Sequence, residues 1–181
     1  MKNNVLLKQY IFLISLFLFI GCSGDSDTDE IMNGNQDTIG QPDSNIAPAF
    51  TLKDTNDSDI SLSSYKGKVV VLFFFGNGCP SCRAVAPKIQ NQIVNTFSSD
   101  DVVVLGLDQW DGNLAAVNNF KSVTKVTFPL LLNASSVAQE YQTSYDRLFI
   151  IDKDGNINFK GNNLASQNLS AVVGGINNLL Q

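Results

Sequence analysis

The stretch Val69-Val70-Val71-Leu72-Phe73-Phe74-Phe75-Gly76-Asn77-Gly78-Cys79-Pro80-Ser81-Cys82 decides the fold. Its first half is a continuous apolar run, rich in β-branched and aromatic residues and bounded by Gly67 and Gly76. Such a run predicts a strand buried on both faces. Beyond the second cysteine, Val85, Ile89, Ile93 and Phe97 recur at four-residue spacing, which predicts one apolar stripe on a helix over 80–97. The two cysteines therefore fall where the chain leaves a buried strand and begins a helix. Unpaired N–H groups and the positive end of the helix dipole point at the first sulfur and favour its thiolate, the attacking species. Cys82 lies one turn further on, within reach for a small disulfide ring. That geometry predicts attack by Cys79 at the exposed end and resolution by Cys82. Pro80 suits the first helical turn, where its missing N–H is not needed.

Working outward, residues 102–107 read as a second buried strand ending at Asp108, and 113–122 as a helix with Leu114, Val117 and Phe120 on one side. Residues 128–132 predict a third strand. Ser135 or Ser136 is placed to cap a short helix running to Tyr141. Residues 148–151 predict a fourth strand. Lys153-Asp154-Gly155-Asn156 signals a tight turn into a hairpin partner carrying Ile157 and Phe159. A helix over 168–180, weakened by Gly174-Gly175, closes the chain. Toward the N-terminus, 48–52 looks like a short edge strand and 62–68 like a turn leading into the central strand. This order argues an α/β layered fold with a mixed central sheet and helices on both faces.

Composition narrows the chemistry. With 12 basic against 17 acidic residues and no Lys/Arg cluster, no nucleic-acid partner is expected. The chain has no histidine, which excludes Ser-His-Asp triads, Cys-His proteases and His-ligated metals. A zinc site needs four ligands and haem attachment needs His after the second cysteine, where Arg83 stands, so neither a metal nor another cofactor is expected. A purely structural disulfide is the alternative to a redox-active one, but so short a loop gains little from chain entropy.

The N-terminus reads as an address. Lys2 and Lys8 precede an apolar run over 10–20, then Gly21-Cys22 and acidic, polar residues. This is the pattern of a secretory signal, and the run is shorter than a bilayer-spanning helix. Phe19-Ile20-Gly21-Cys22 resembles a bacterial lipobox, which implies a signal peptide over 1–21 and lipidation at Cys22. Several acyl chains then hold the protein to a membrane of the cell envelope. Residues 22–45 read as a flexible acidic tether and 46–181 as the folded domain. Within the tether, Asp25, Asp27 and Asp29 faintly suggest a calcium loop, with a solvated charge run as the alternative. Asp37-Thr38-Ile39 resembles a bacterial O-glycosylation motif.

The stretch from Lys68 to Phe97, with Pro87 five residues after the second cysteine, resembles TlpA-like thiol–disulfide oxidoreductases of the thioredoxin-like superfamily. Ala47-Pro48-Ala49-Phe50-Thr51-Leu52, Leu62 to Lys68, Phe128-Pro129-Leu130-Leu131 and Phe149 to Gly155 match the same family. The resemblance implies a thioredoxin-like fold with an N-terminal strand extension and a central strand–helix insertion. It also implies exchange of electrons with protein thiols and disulfides, served by an upstream donor or acceptor, with Pro80 and Ser81 beside the substrate. Three departures stand out. The family's proline before the late strand is absent from Ser144-Tyr145-Asp146-Arg147, making Asp146 and Arg147 candidate substrate contacts, or else a loop-end charge pair. Gly78 stands where Trp commonly precedes the first cysteine. Phe73 and Val85 stand where the family's buried carboxylate is expected. The segment Arg147 to Asp152 also resembles peroxiredoxins, although residues 74–78 lack their Pro and Thr. Thiol peroxidase activity and a non-catalytic binding module are therefore the rival readings.

Overall fold

The computed structural model describes residues 45–162 and 164–181. The signal segment 1–21, Cys22, the aspartates at 25, 27 and 29, the 37–39 motif and all of the 22–45 tether but its last residue lie outside the described residues. Eleven regular elements follow in order: β1 (Thr51–Lys53), β2 (Asp59–Ser61), β3 (Val69–Phe75), α1 (Pro80–Ile89), β4 (Val102–Asp108), α2 (Leu114–Thr124), β5 (Leu130–Leu131), α3 (Ser135–Glu140), β6 (Arg147–Ile151), β7 (Ile157–Lys160) and α4 (Ala165–Leu179). Five strands form one sheet in the order β5-β4-β3-β6-β7. β4 runs parallel to β3 and β5 parallel to β4, while β6 and β7 run antiparallel to their neighbours.

β3 sits at the centre of the sheet, and every one of its residues is buried. Its pleat alternates between two cores. Val69, Val71, Phe73 and Phe75 join a cluster with Val85 and Ile89 of α1, Val117 and Phe120 of α2, and Val172 and Ile176 of α4. Val70, Leu72 and Phe74 join a second with Val137 and Ala138 of α3, Tyr141 and Phe50. Helices thus cover both faces, as the strand–helix order predicts, and β5 with α3 forms the inserted strand–helix unit. No helix among the described residues is long and apolar enough to cross a membrane.

Several elements differ from expectation, each for a local reason. The strand expected over 48–52 begins at Thr51. It pairs with β2 in a separate two-stranded sheet, not along the edge of the main sheet. The first helix ends at Ile89 and continues as one π-type turn over Gln90–Val94. Pro87 inside the helix removes a backbone donor, and buried Gln90 accepts from the Thr127 N–H at 2.8 Å, fixing the wider turn. The third strand shrinks to two residues, because Pro129 has no N–H to pair.

Neither serine caps α3. The N-cap position is held by Ala134, which has no capping side chain, and the Ser135 N–H is taken by the Asp111 carboxylate at 3.0 Å. Leu114 is 48% exposed and not part of the α2 stripe. It is the first residue after the Asn113 cap, where the helix has not yet closed on the sheet. α4 starts at Ala165 rather than 168, its first N–H donating to the Asp146 carbonyl at 3.1 Å. That bond ties the start of the last helix to the residue directly before β6.

Candidate active site

The CxxC pair stands at the C-terminal end of the central strand, as the sequence predicts. Cys79 is the N-cap of α1, with extended backbone (φ −70°, ψ 120°), and Pro80 is the first helical residue. Its Sγ accepts the Cys82 N–H at 3.1 Å, so the sulfur satisfies one of the free donors of the helix start. Cys79 and Cys82 form a disulfide across a Cα–Cα distance of 5.3 Å. The Ser81 hydroxyl lies 3.2 Å from Cys79 Sγ. Pro80 is exposed and Ser81 half-buried.

One expectation is corrected. Cys79 is 2% exposed, almost as enclosed as Cys82, and does not stand at an exposed end. The sulfur turns inward to cap the helix, and both cysteines belong to the apolar cluster beneath α1.

The Gly76–Gly78 approach is held by a residue from the neighbouring strand. Asp108 ends β4 and is fully buried. Its carboxylate accepts from the Asn77 N–H at 3.1 Å, from Asn77 Nδ2 at 3.0 Å and from the Gly112 N–H at 2.9 Å. It thus ties the loop before Cys79 to the loop after β4. Arg83 adds a second tie, its guanidinium donating to the Asn77 carbonyl at 2.9 Å.

Trp110 of the β4–α2 loop lies across Gly76 and Gly78. A Cβ on Gly76 would overlap its indole, and one on Gly78 would approach the ring to 3.2 Å. The glycines therefore make room for an aromatic side chain supplied from elsewhere in the chain. The Trp110 ring meets Tyr145 edge-on at 4.9 Å. These residues, 44% and 41% exposed, form an aromatic ledge over the approach to the cysteines.

Asp146 follows Tyr145, directly before β6. It is 1% exposed, and neither carboxylate oxygen has a hydrogen-bond partner among the described residues. Burial pushes its carboxyl above the usual carboxylate range; the Ser81 hydroxyl, the Ala165 N–H and the Arg147 charge oppose that shift without cancelling it. Arg147 makes no ion pair with it and instead donates from Nη1 to the Asp146 carbonyl at 3.0 Å. Arg147 also lines a cleft of about 440 Å³ with Thr143, Ser144 and Lys160. Phe73 and Val85 are buried and apolar, leaving no carboxylate at the position the resemblance reserves for one.

Three features were missed in the sequence. The Asp108 clamp had a signal: a carboxylate ending an apolar parallel strand, at the sheet end where α/β sites form. The seating of Trp110 over Gly76 and the burial of Asp146 had none, since each depends on segments brought together by the sheet.

Comparison with known proteins places this geometry. The profile of the AhpC/TSA family matches residues 44–160. The thiol-disulfide oxidoreductase ResA of Bacillus subtilis is 34% identical over 113 residues, a match spanning 61% of this chain and 62% of that protein. The ResA of Bacillus cereus (strain ATCC 10987) is 29% identical over 162 residues, 87% of each chain. A solution structure from Bacteroides thetaiotaomicron, provisionally described as a protein disulfide isomerase, superposes with a TM-score of 0.68 at 30% identity. That superposition covers 75% of this chain and 88% of that one.

Proposed function

The chain belongs to the AhpC/TSA family, and on that premise we propose that it is an extracytoplasmic thiol–disulfide oxidoreductase that exchanges electrons with protein disulfides through Cys79 and Cys82. The observation that carries this reading is the Cys79–Cys82 disulfide at the start of α1, with a backbone N–H directed at the first sulfur. Both names drawn from ResA relatives and the disulfide isomerase description support the same chemistry.

The exchange follows from the positions. The Cys79 thiolate attacks one sulfur of a substrate disulfide and expels the other as a thiolate. Cys82 then attacks Cys79 Sγ, closing the intramolecular disulfide and releasing the second substrate sulfur. Two electrons pass from the protein dithiol to the substrate. The enclosure of the Cys79–Cys82 disulfide requires the partner to approach across the exposed Pro80 and the Trp110–Tyr145 ledge. Arg147 and its cleft are assigned to a flanking part of the same partner.

Export and anchoring complete the proposal: a signal over 1–21, lipidation of Cys22, a tether over 22–45 and the working domain from 46 onward, at the periplasmic or outer face of the envelope. An oxidising compartment suits a protein whose function needs a disulfide.

The test is capture. Cys82→Ser is expected to accumulate mixed disulfides through Cys79, seen as reducible adducts on a non-reducing gel, whereas Cys79→Ser gives none. Equal adducts from both variants, or none from either, contradict the two-step scheme. The same preparation is assayed with hydrogen peroxide. Rapid peroxide consumption needing Cys79 alone would transfer the assignment to the peroxidase reading.

A further inference from the structure

The cleft beside Arg147 is built where the exit of α3 meets the β6–β7 edge of the sheet. Residues two apart on a strand share a face, and residues opposite each other across an antiparallel pair share it too. Arg147 therefore lies on the same face as Phe149, and Lys160 stands opposite Phe149 with its Nζ 5.9 Å from the centre of that ring. This is the face that α3 covers. The chain leaving α3 supplies the other wall through Thr143 and Ser144, and Gly161 lies buried just past β7. The resulting cleft of about 440 Å³ is lined by two cations and two hydroxyls but by no aspartate or glutamate.

Neither cation is neutralised from within. Among the described residues, the ion pairs are those of Lys53 with Asp57 and Asp59. Asp146, next to Arg147 in the sequence, is buried and offers the guanidinium its main-chain carbonyl, which accepts from Nη1 at 3.0 Å. A guanidinium carries five N–H donors in a planar fork, so the others can still hold a carboxylate. The Thr143 and Ser144 hydroxyls reach only the next carbonyls along the chain, at 3.4 and 3.3 Å, long bonds that an incoming acceptor can displace. On a chain of formal net charge −5, the cleft is a local reversal of sign.

It is also continuous with the approach to the cysteines. Ser144 lines it, and the next residue, Tyr145, meets Trp110 edge-on over the glycines that precede Cys79. Arg147 pairs with Phe74, at the end of β3 from which the chain runs on to Cys79. A partner lying on the aromatic ledge is thereby led over Ser144 to the two cations.

We propose that this cleft binds the acidic flank of a protein substrate: carboxylate side chains beside the substrate disulfide, held by Arg147 and Lys160 during the exchange. Opposite charge across the contact speeds encounter and fixes the partner's register. The inference rests on the thiol–disulfide reading and names the character of the partner's sequence.

The experiment separates binding from exchange. Two peptides are compared, one with glutamates on both sides of a central residue and one with glutamines in their place. In the binding arm the central residue is serine, and the oxidised full-length protein is titrated by calorimetry. In the exchange arm it is cysteine in a thiopyridyl mixed disulfide, and release of the thiopyridone by the reduced protein is timed. Each rate is divided by that of dithiothreitol with the same peptide. The glutamate peptide is expected to bind and react about fivefold better, the effect of two partly exposed ion pairs. That preference is expected to shrink as salt rises. Arg147→Gln and Lys160→Gln each bring the ratio toward one, and Lys160→Glu lowers it further. Should Arg147→Gln fail to fold, the two variants at exposed Lys160 decide. Equal treatment of the peptides by the wild type, binding of neither, or a preference that both Lys160 variants keep would overturn the proposal. Exchange without preference rejects the cleft alone. A glutamate preference in binding with no exchange of either peptide upholds the cleft and rejects the exchange reading.

Discussion

Asp108 is the residue whose loss most directly tests how the site is held. Its carboxylate binds the N–H and side-chain amide of Asn77 and the N–H of Gly112, at 2.9–3.1 Å. Asp108→Ala removes these three bonds at once, together with the longer one from the Trp110 N–H at 3.4 Å. A hydrogen bond to a carboxylate contributes about 1.5–3 kcal/mol. Asn77 and Gly112 are half-buried, so water replaces part of what is lost, and removing a buried carboxylate also removes its desolvation cost. The net penalty is about 2–4 kcal/mol, which at ordinary urea sensitivity moves the midpoint by about 1–2 M. Trp110 is the only tryptophan and sits on the loop that Asp108 holds, so its emission reports the unfolding and the local release together. Asp108→Asn keeps the volume and one acceptor oxygen and is expected to fall between the wild type and alanine. A midpoint shift below about 0.3 M for Asp108→Ala, with unchanged emission, would refute the clamp.

Three further outcomes follow. Gly76→Ala drives a Cβ into the Trp110 indole; it is expected to cost about 1–3 kcal/mol and shift the emission toward that of exposed tryptophan, and a silent substitution would contradict the close approach. Tyr141→Phe removes the bond from the buried phenol to the Pro48 carbonyl at 2.9 Å, which should lower stability by about 1 kcal/mol in urea unfolding. Burial holds that phenol above its usual range, so it remains a donor throughout. Burial also raises the Asp146 carboxyl, so the folded chain binds more protons than the unfolded one between the two values, and its contribution to stability falls as pH rises through that window. The stability of Asp146→Asn relative to wild type should therefore grow as pH rises from about 4; a constant difference across pH would count against the buried, unpaired carboxyl.

Much of this could be read directly from residue order. The run Val69–Phe75 left no other role than a central strand, and glycines on either side fixed its ends within a residue. The spacing of Val85, Ile89 and Ile93 placed the helix and, with it, Cys79 at the N-cap. The pattern was blind where short polar segments pair. Asp59-Ile60-Ser61 carries no strand signal of its own and becomes β2 only because Thr51–Lys53 lies opposite. It was equally blind to exposure at the cysteine, because the inward turn of Cys79 depends on a cap bond rather than on hydropathy. Asp146 read as a candidate substrate contact or half of a loop-end charge pair with Arg147, in either case at the surface. Its burial comes from α4 docking onto its carbonyl, a contact between segments that no local spacing records. Gly78 looked like the loss of an aromatic. The fold fills the space from Trp110 instead.

The central claim is that the Cys79–Cys82 pair is a reversible two-electron couple. The protein is equilibrated in thiol–disulfide buffers of graded potential, free thiols are alkylated, and the products are counted by mass. The account predicts one transition, reached identically from the oxidised and the reduced side, with both alkyl groups on Cys79 and Cys82. A pair that stays reduced in every oxidising buffer, or a disulfide that never reopens, would contradict it.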